Sequence, residues 1–145
     1  DSWMIWGNKI TTNEQRFEFD KTVFINGGQS FHIINPRGGL GNCSQYLENL
    51  KPDTTYRLSY FLKTRLTPPG GAGAYMVLAD GQVNQRAFPV TQVSGDNPWH
   101  RLTFEFKTPS TTNRNQKQKP LVAFWVWNAE GEAWFDDVRI IELKK

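Results

Sequence analysis

Apolar and polar residues alternate along much of this chain, a period-two pattern that is typical of β-strands with one face in a core and one in water. The segment around Tyr56, Leu58, Tyr60 and Leu62 shows it clearly, because polar or small residues separate these apolar ones. Further strand-like segments are 16–20, 30–33, 74–79, 83–90, 101–107, 121–127 and 133–143. No window shows a helical apolar stripe, so the pattern predicts about nine or ten strands and essentially no helix.

Turn-forming residues separate these segments. They include Asn26-Gly27-Gly28, Pro68-Pro69-Gly70-Gly71, Asp80-Gly81 and Glu130-Gly131. Asp-Gly between two strands favours a tight hairpin, and the polar segment 108–120 indicates a connection between strands. Many short strands without helices predict an all-β fold, in which two antiparallel sheets pack face to face as a jelly roll or related β-sandwich.

Length, charge and cysteine content narrow the class of protein. The 145 residues suit one domain over residues 1–145, and 38% hydrophobic with 21% charged residues is too apolar for a disordered chain. No apolar run approaches the roughly 18 residues of a membrane span. A membrane is therefore not the expected partner. The net charge is +3, but the Lys and Arg residues are scattered along the chain, so nucleic acid is not the expected partner either. Cys43 is the single cysteine and cannot form an internal disulfide. Because the chain begins Asp1-Ser2-Trp3, we expect a mature product or a piece of a longer polypeptide.

Four segments carry a resemblance to a known family. Residues 50–60, LKPDTTYRLSY, resemble the L-x-P-x-T-x-Y-x-L-S strand entry of carbohydrate-binding modules of families four, nine, sixteen and twenty-two. Three further elements follow the family's order, namely GGQSF at 27–31, WHRLTFEFKTP at 99–109 and GEAWFDDVRI at 131–140. Together the four elements cover about residues 27–141.

The resemblance implies a galactose-binding-like jelly roll whose concave sheet holds a glycan. It also implies an extracellular location, attachment to a glycoside hydrolase in a longer parent chain, and often a buried structural calcium. The family usually opens with an N-x-x-F-E element that supplies an acidic metal ligand, and this chain lacks that element at its start.

The segment Trp134–Ile140 contains the candidate metal ligand. Strand alternation predicts that Asp136 shares a face with Trp134, Val138 and Ile140, toward the edge of the core. A carboxylate there needs a cation or hydrogen-bond donors, and calcium prefers oxygen ligands. We therefore predict a calcium site at Asp136, assisted by Asp20 and by backbone carbonyl groups of the turn at Gly28. The alternative is that Asp136 accepts backbone N–H bonds or pairs with Lys or Arg.

Two tryptophans are the main candidates for sugar binding. Trp125 and Trp127 fall on one face of their strand, opposite Val122, Phe124 and Val126, whose apolar row resembles a core face. An exposed pair of indoles suits the apolar C–H faces of pyranose rings. The alternative is that the faces are reversed and both tryptophans lie in the core.

Six further residues are candidates for the same site. They are Tyr75, Arg57, Gln45, Arg86, Trp3 and Trp6. Tyr75 and Arg57 are opposite apolar neighbours and could therefore reach a polar concave sheet, and Trp3 and Trp6 could form its rim or plug one end of the sandwich.

These patterns favour a non-catalytic carbohydrate-binding module over two alternatives. The first alternative is a structural or protein-docking sandwich within a larger enzyme, and the second is a jelly-roll polysaccharide lyase. His32 and the segment 60–63 are faintly similar to lyase sites, but the longer lyase motifs are absent. No pair of carboxylates stands out as a glycoside hydrolase site, and nucleophile elbows, P-loops and zinc motifs are missing.

Overall fold

The computed structural model describes residues 4–7, 15–36, 38–79, 85–89, 92–109 and 120–144. These ranges contain ten strands: β1 (Met4–Gly7), β2 (Arg16–Asp20), β3 (Ser30–Asn35), β4 (Leu40–Tyr46), β5 (Thr55–Thr67), β6 (Gly71–Ala79), β7 (Gln85–Pro89), β8 (Gly95–Lys107), β9 (Leu121–Trp127) and β10 (Glu130–Glu142). No helix occurs in the described ranges, which confirms the all-β prediction. Accordingly, none of these ranges holds a helix long and apolar enough to cross a membrane.

The strands form two five-stranded antiparallel sheets. Sheet A has the order β1-β4-β9-β6-β7, and sheet B has the order β2-β3-β10-β5-β8. Most neighbours in each sheet come from distant parts of the chain, as in β4–β9 and β3–β10, whereas β2–β3 and β6–β7 are consecutive. The two sheets form the predicted β-sandwich of the jelly-roll type.

The core lies between the sheets and follows the alternation of the sequence. On sheet B, Tyr60 and its neighbours two residues away on β5 are buried, and on sheet A the same holds for Phe124 on β9. The ring of Tyr60 meets Phe124 edge to face, with 5.6 Å between ring centroids. Phe135 on β10 lies 5.0 Å from Phe124 and completes the contact between the sheets. Burial of such side chains contributes roughly 25 cal/mol for each Å² removed from water.

A bulge in β10 changes the faces predicted for its second half. Asp136 pairs with Phe61 and Arg139 pairs with Ser59, so the span from Asp136 to Arg139 holds one residue more than the facing span of β5. Asp137 there has a left-handed φ of 49°. A bulge reverses the alternation that follows it. Asp136 and Trp134 therefore share the outer face of sheet B, whereas Ile140 packs against the core. The prediction that Asp136 faces the core edge beside Ile140 is wrong for this reason.

Candidate functional site

The tryptophan pair of β9 lies on the outer face of sheet A. Val122, Phe124 and Val126 are buried in the core, while the side chain of Trp127 is 52% exposed and Trp125 is partly buried. The face predicted from the alternation is thus the one observed. The reversed arrangement, with both indoles in the core, does not occur.

Two glycines of β6 lie beside the two indoles. On β6, Gly73 is in register with Trp125 and Gly71 with Trp127, so no side chain of β6 stands next to either ring. Gly70 packs so closely that a Cβ there would overlap the carbonyl oxygen of Trp127. The Gly70 N–H also donates to Asn128 O at 2.8 Å, which fixes the end of β9 that carries Trp127.

Tyr75 and Asn42 form a bridge across β9. Asn42 lies on β4 and Tyr75 on β6, and the Asn42 Nδ2 donates to the Tyr75 hydroxyl at 3.0 Å. Tyr75 is in register with Ala123, whose side chain is fully buried although it points to the outer face. The tyrosine ring therefore crosses β9 near Ala123. Within the described residues, the Tyr75 O–H and the Asn42 Oδ1 have no other hydrogen-bond partner, so both can bond a ligand.

The outer face of sheet A carries no charged side chain among the described strand positions. We call this surface the aromatic face and define it by Leu40, Asn42, Ser44, Tyr46, Gly71, Gly73, Tyr75, Val77, Leu121, Ala123, Trp125 and Trp127. The outer face of sheet B differs, because it holds ion pairs such as Arg57–Glu105. The aromatic face therefore suits a neutral ligand with apolar patches and hydroxyl groups.

The other predicted sugar-binding residues do not all join this face. Gln45 is in register with Val122 and so lies on the core side of β4. Arg57 lies on the outer face of sheet B, 3.1 Å from Glu105, because β5 belongs to the other sheet. The structure therefore separates both from the tryptophan pair. Tyr75 does join the aromatic face.

Three predicted residues fall wholly or partly outside the described residues. Trp3 lies outside the described ranges. Trp6, on β1, is in register with Asn42, and Arg86, on β7, is in register with Leu78. The side chains of Trp6 and Arg86 lie outside the part of the chain that the structure describes. Their roles stay predictions.

Two positions of the aromatic face were not predicted from the sequence. Asn42 and Tyr46 both lie on β4, whose sequence LGNCSQY shows little alternation because its core positions include Gly41 and Cys43. The pairing of β4 with β9 brings Asn42 beside Trp125 and places Tyr46 beside Leu121, at the other end of β9 from Trp127.

Asp136 is held by backbone hydrogen bonds. Its Oδ2 accepts the N–H groups of Ile25 at 2.7 Å and Asn26 at 3.1 Å, and its Oδ1 accepts the N–H of Asp137 at 2.7 Å. This is the arrangement given above as the alternative to calcium. Two donors occupy Oδ2, so only Oδ1 keeps a lone pair for a cation.

Asp20 is bound in a similar way. Its Oδ1 accepts the backbone N–H groups of Thr22 and Val23, and its Oδ2 accepts the indole N–H of Trp134 at 3.0 Å. The bond from the Thr22 backbone, followed by that from the Trp134 indole, lowers the pKa of Asp20 well below its ordinary range. These hydrogens point at the oxygens that calcium would need.

The described residues therefore do not by themselves fit the predicted calcium site. Calcium takes six to eight oxygen ligands, at about 2.3–2.6 Å. Within the described ranges no group of three or more His, Cys, Asp or Glu side chains could hold a metal ion. Gly28 has a left-handed φ of 83° in the adjoining turn, which a glycine adopts without strain. The calcium site at Asp136, Asp20 and Gly28 is an untested prediction of the sequence, which these hydrogen bonds disfavour.

Two of the residues that suggested a lyase, Tyr60 and His32, lie on different faces of sheet B. Tyr60 lies in the core, and burial raises the pKa of its phenol. His32 lies on the outer face of sheet B, stacked on Trp134 and bonded through Nδ1 to Glu18 Oε1 at 3.0 Å. The two side chains thus face opposite sides of sheet B. Burial also raises the pKa of Cys43 to about 12, so its thiol is not an activated nucleophile.

Comparison with known proteins supports the fold. No protein-family model matches the sequence, and no curated protein matches it. Among solved structures, the chain is similar to the CBM22-1 xylan-binding domain of Paenibacillus barcinonensis Xyn10C, with 15% identity over 99% of this chain and 86% of that one, at a TM-score of 0.72. It is also similar to a family 16 carbohydrate-binding module, with 18% identity over 87% and 85% and a TM-score of 0.67.

A third similarity extends beyond carbohydrate-binding modules. The chain matches part of the enzymatically active domain of bacteriophage CBA120 tailspike protein 4, with 15% identity over 98% of this chain and 19% of that one, at a TM-score of 0.70. The fold of this chain is thus the jelly roll that carbohydrate-binding modules of families 16 and 22 adopt.

Proposed function

We propose that this chain is a non-catalytic module that binds a neutral polysaccharide on the aromatic face of sheet A. The observation that carries the proposal is the exposed Trp127 beside Trp125, on a surface without charge among its described positions. Large exposed aromatic rings are costly in water unless a ligand covers them.

The chemistry of the face suits sugar rings. The C–H face of a pyranose can lie flat on an indole, and the equatorial hydroxyl groups then need hydrogen-bond partners at the ring edge. Asn42 and Tyr75 supply one acceptor and one donor at the middle of the face. A neutral polysaccharide meets both needs, whereas an acidic one would find no cation among the described positions of the face.

Xylan is the first ligand to test. Similar structures include a xylan-binding domain and a CBM22-1 module joined to a GH10 module in complex with xylohexaose. By analogy, we propose that this chain serves a secreted glycoside hydrolase in a longer parent polypeptide. Tethering would raise the effective concentration of the enzyme at its substrate without adding a catalytic step.

The experiment is affinity electrophoresis in gels that contain xylan, a neutral glucan, a mannan or an acidic pectin. We expect a neutral polysaccharide to retard the parent protein, and Trp127→Ala to abolish most of that retardation. Ile141→Ala is the matched control, because Ile141 is 50% exposed on the outer face of sheet B. A reducing-sugar and unsaturated-product assay on the same samples should show no turnover. Retardation by pectin alone, or turnover, would contradict the proposal.

A structural role is the second candidate, favoured by the similarity to part of a phage tailspike. In that case the sandwich would support a neighbouring domain and bind no sugar. Migration unchanged by any polysaccharide, with Trp127→Ala identical to the parent protein, would favour this role.

A further inference from the structure

Tyr46 is a second exposed aromatic residue at the far end of the aromatic face. Its side chain is 48% exposed, close to the value for Trp127. Tyr46 ends β4 in register with Leu121, the first residue of β9, whereas Trp127 is the last. The Leu47 N–H donates to Pro120 O at 2.8 Å and fixes the backbone immediately after Tyr46. The ring is thus attached to a well-defined strand end.

The two exposed rings are separated by the length of β9. Six residue steps lie between Leu121 and Trp127, which at roughly 3.3 Å a step is about 20 Å along the strands. Trp125 and the Tyr75–Asn42 bridge lie between the ends, so aromatic or polar side chains occupy every level of the face. A disaccharide is shorter than this distance, and a longer chain is needed to contact both ends.

We infer that a neutral linear polysaccharide lies along β9 and β4, with one sugar unit on Trp127 and a later unit on Tyr46. The inference rests on the proposed function and adds a path and a second stacking platform to it. The absence of charge at the described positions between the two rings favours a neutral polymer over a charged peptide or an acidic glycan. Because the rings lie far apart, the contribution of Tyr46 depends on the length of the ligand.

The test is calorimetry with xylohexaose, polymeric xylan and xylobiose. If another neutral polysaccharide retards the protein in the gels, that polysaccharide and its oligosaccharides of the same lengths are used instead. Tyr46→Ala should weaken binding of the hexasaccharide and the polymer by about tenfold, the loss of one stacking contact. Tyr46→Phe keeps the ring and should bind like the parent protein. Phe24→Ala is the matched control, because Phe24 is a 40% exposed aromatic residue outside the aromatic face.

The outcomes separate this inference from the proposed function. If Trp127→Ala weakens binding of the hexasaccharide and Tyr46→Ala does not, the path to Tyr46 is wrong and the proposed function stands. If the parent protein binds none of the polysaccharides, both fail. Equal weakening of xylobiose and xylohexaose by Tyr46→Ala would also overturn the inference, because it would place Tyr46 beside the main site. The thermal melt of each variant should stay close to that of the parent protein, since about half of each replaced side chain is already in water.

Discussion

Replacing residues on opposite faces of β9 should separate sugar binding from folding stability. Phe124 is 1% exposed and packs against Tyr60 and Phe135, so Phe124→Ala should lower the free energy of unfolding by about 3–5 kcal/mol through transfer and cavity terms. About half of Trp127 is already in water. Since full burial of a large apolar side chain contributes about 1.5–3 kcal/mol, Trp127→Ala should cost only about 1 kcal/mol.

The same two variants should rank in the opposite order in sugar binding. Trp127→Ala removes an exposed platform and should weaken polysaccharide binding by about 2 kcal/mol, which is roughly 30-fold. Phe124→Ala should bind normally under conditions where it stays folded. Urea unfolding followed by fluorescence gives the stabilities, and calorimetry gives the affinities. The reasoning is refuted if Trp127→Ala destabilises the fold as much as Phe124→Ala, or if folded Trp127→Ala binds as tightly as the parent protein.

Three further predictions concern metal binding, the titration of Asp20 and the close packing of Gly70. Excess chelator should leave the melting temperature unchanged, because N–H groups already donate to the carboxylate oxygens of Asp136 and Asp20. Calcium present at 100 times its dissociation constant would add about 2.7 kcal/mol to the free energy of unfolding, so a clear fall in the melting temperature would establish the metal. The pKa of Asp20 is lowered in the fold, so the contribution of its carboxylate to stability is full above the ordinary pKa of 3.8 and is lost as the pH falls toward the folded pKa. Chemical unfolding should therefore show that the difference in stability between the parent protein and Asp20→Asn narrows below pH 3.8, and a constant difference would contradict this. Gly70→Ala should destabilise the fold by about 1–3 kcal/mol and weaken sugar binding, because its Cβ would overlap the carbonyl oxygen of Trp127; parent-like melting and affinity would contradict it.

The sequence pattern was sufficient for the fold class and for the strands with strong alternation. In β9 the choice of core face follows from Val122, Phe124 and Val126, because an uninterrupted apolar row is typical of the face that packs between two sheets. The same reasoning placed Trp125 and Trp127 together on the outer face, where the structure has them.

Long-range pairing limited what the pattern could predict for the site. The strand β4 supplies Asn42 and Tyr46, but its small core residues give no alternation signal. The pattern also could not assign Arg57 to a sheet, because the face of a strand does not reveal which strands flank it. The bulge after Asp136 lies in a run of strand-like residues, and only the register against β5 shows the extra residue.

The most direct test of the central claim locates the sugar among the tryptophans. In two-dimensional nitrogen–proton NMR each indole N–H gives its own signal, which Trp→Phe variants assign. Adding the polysaccharide that retards the protein in the gels, or its hexasaccharide, should shift the signals of Trp125 and Trp127. It should leave the signal of Trp134 unchanged, because the Trp134 N–H donates to Asp20 on sheet B. A shift confined to Trp134, with the Trp125 and Trp127 signals unmoved, would contradict the account.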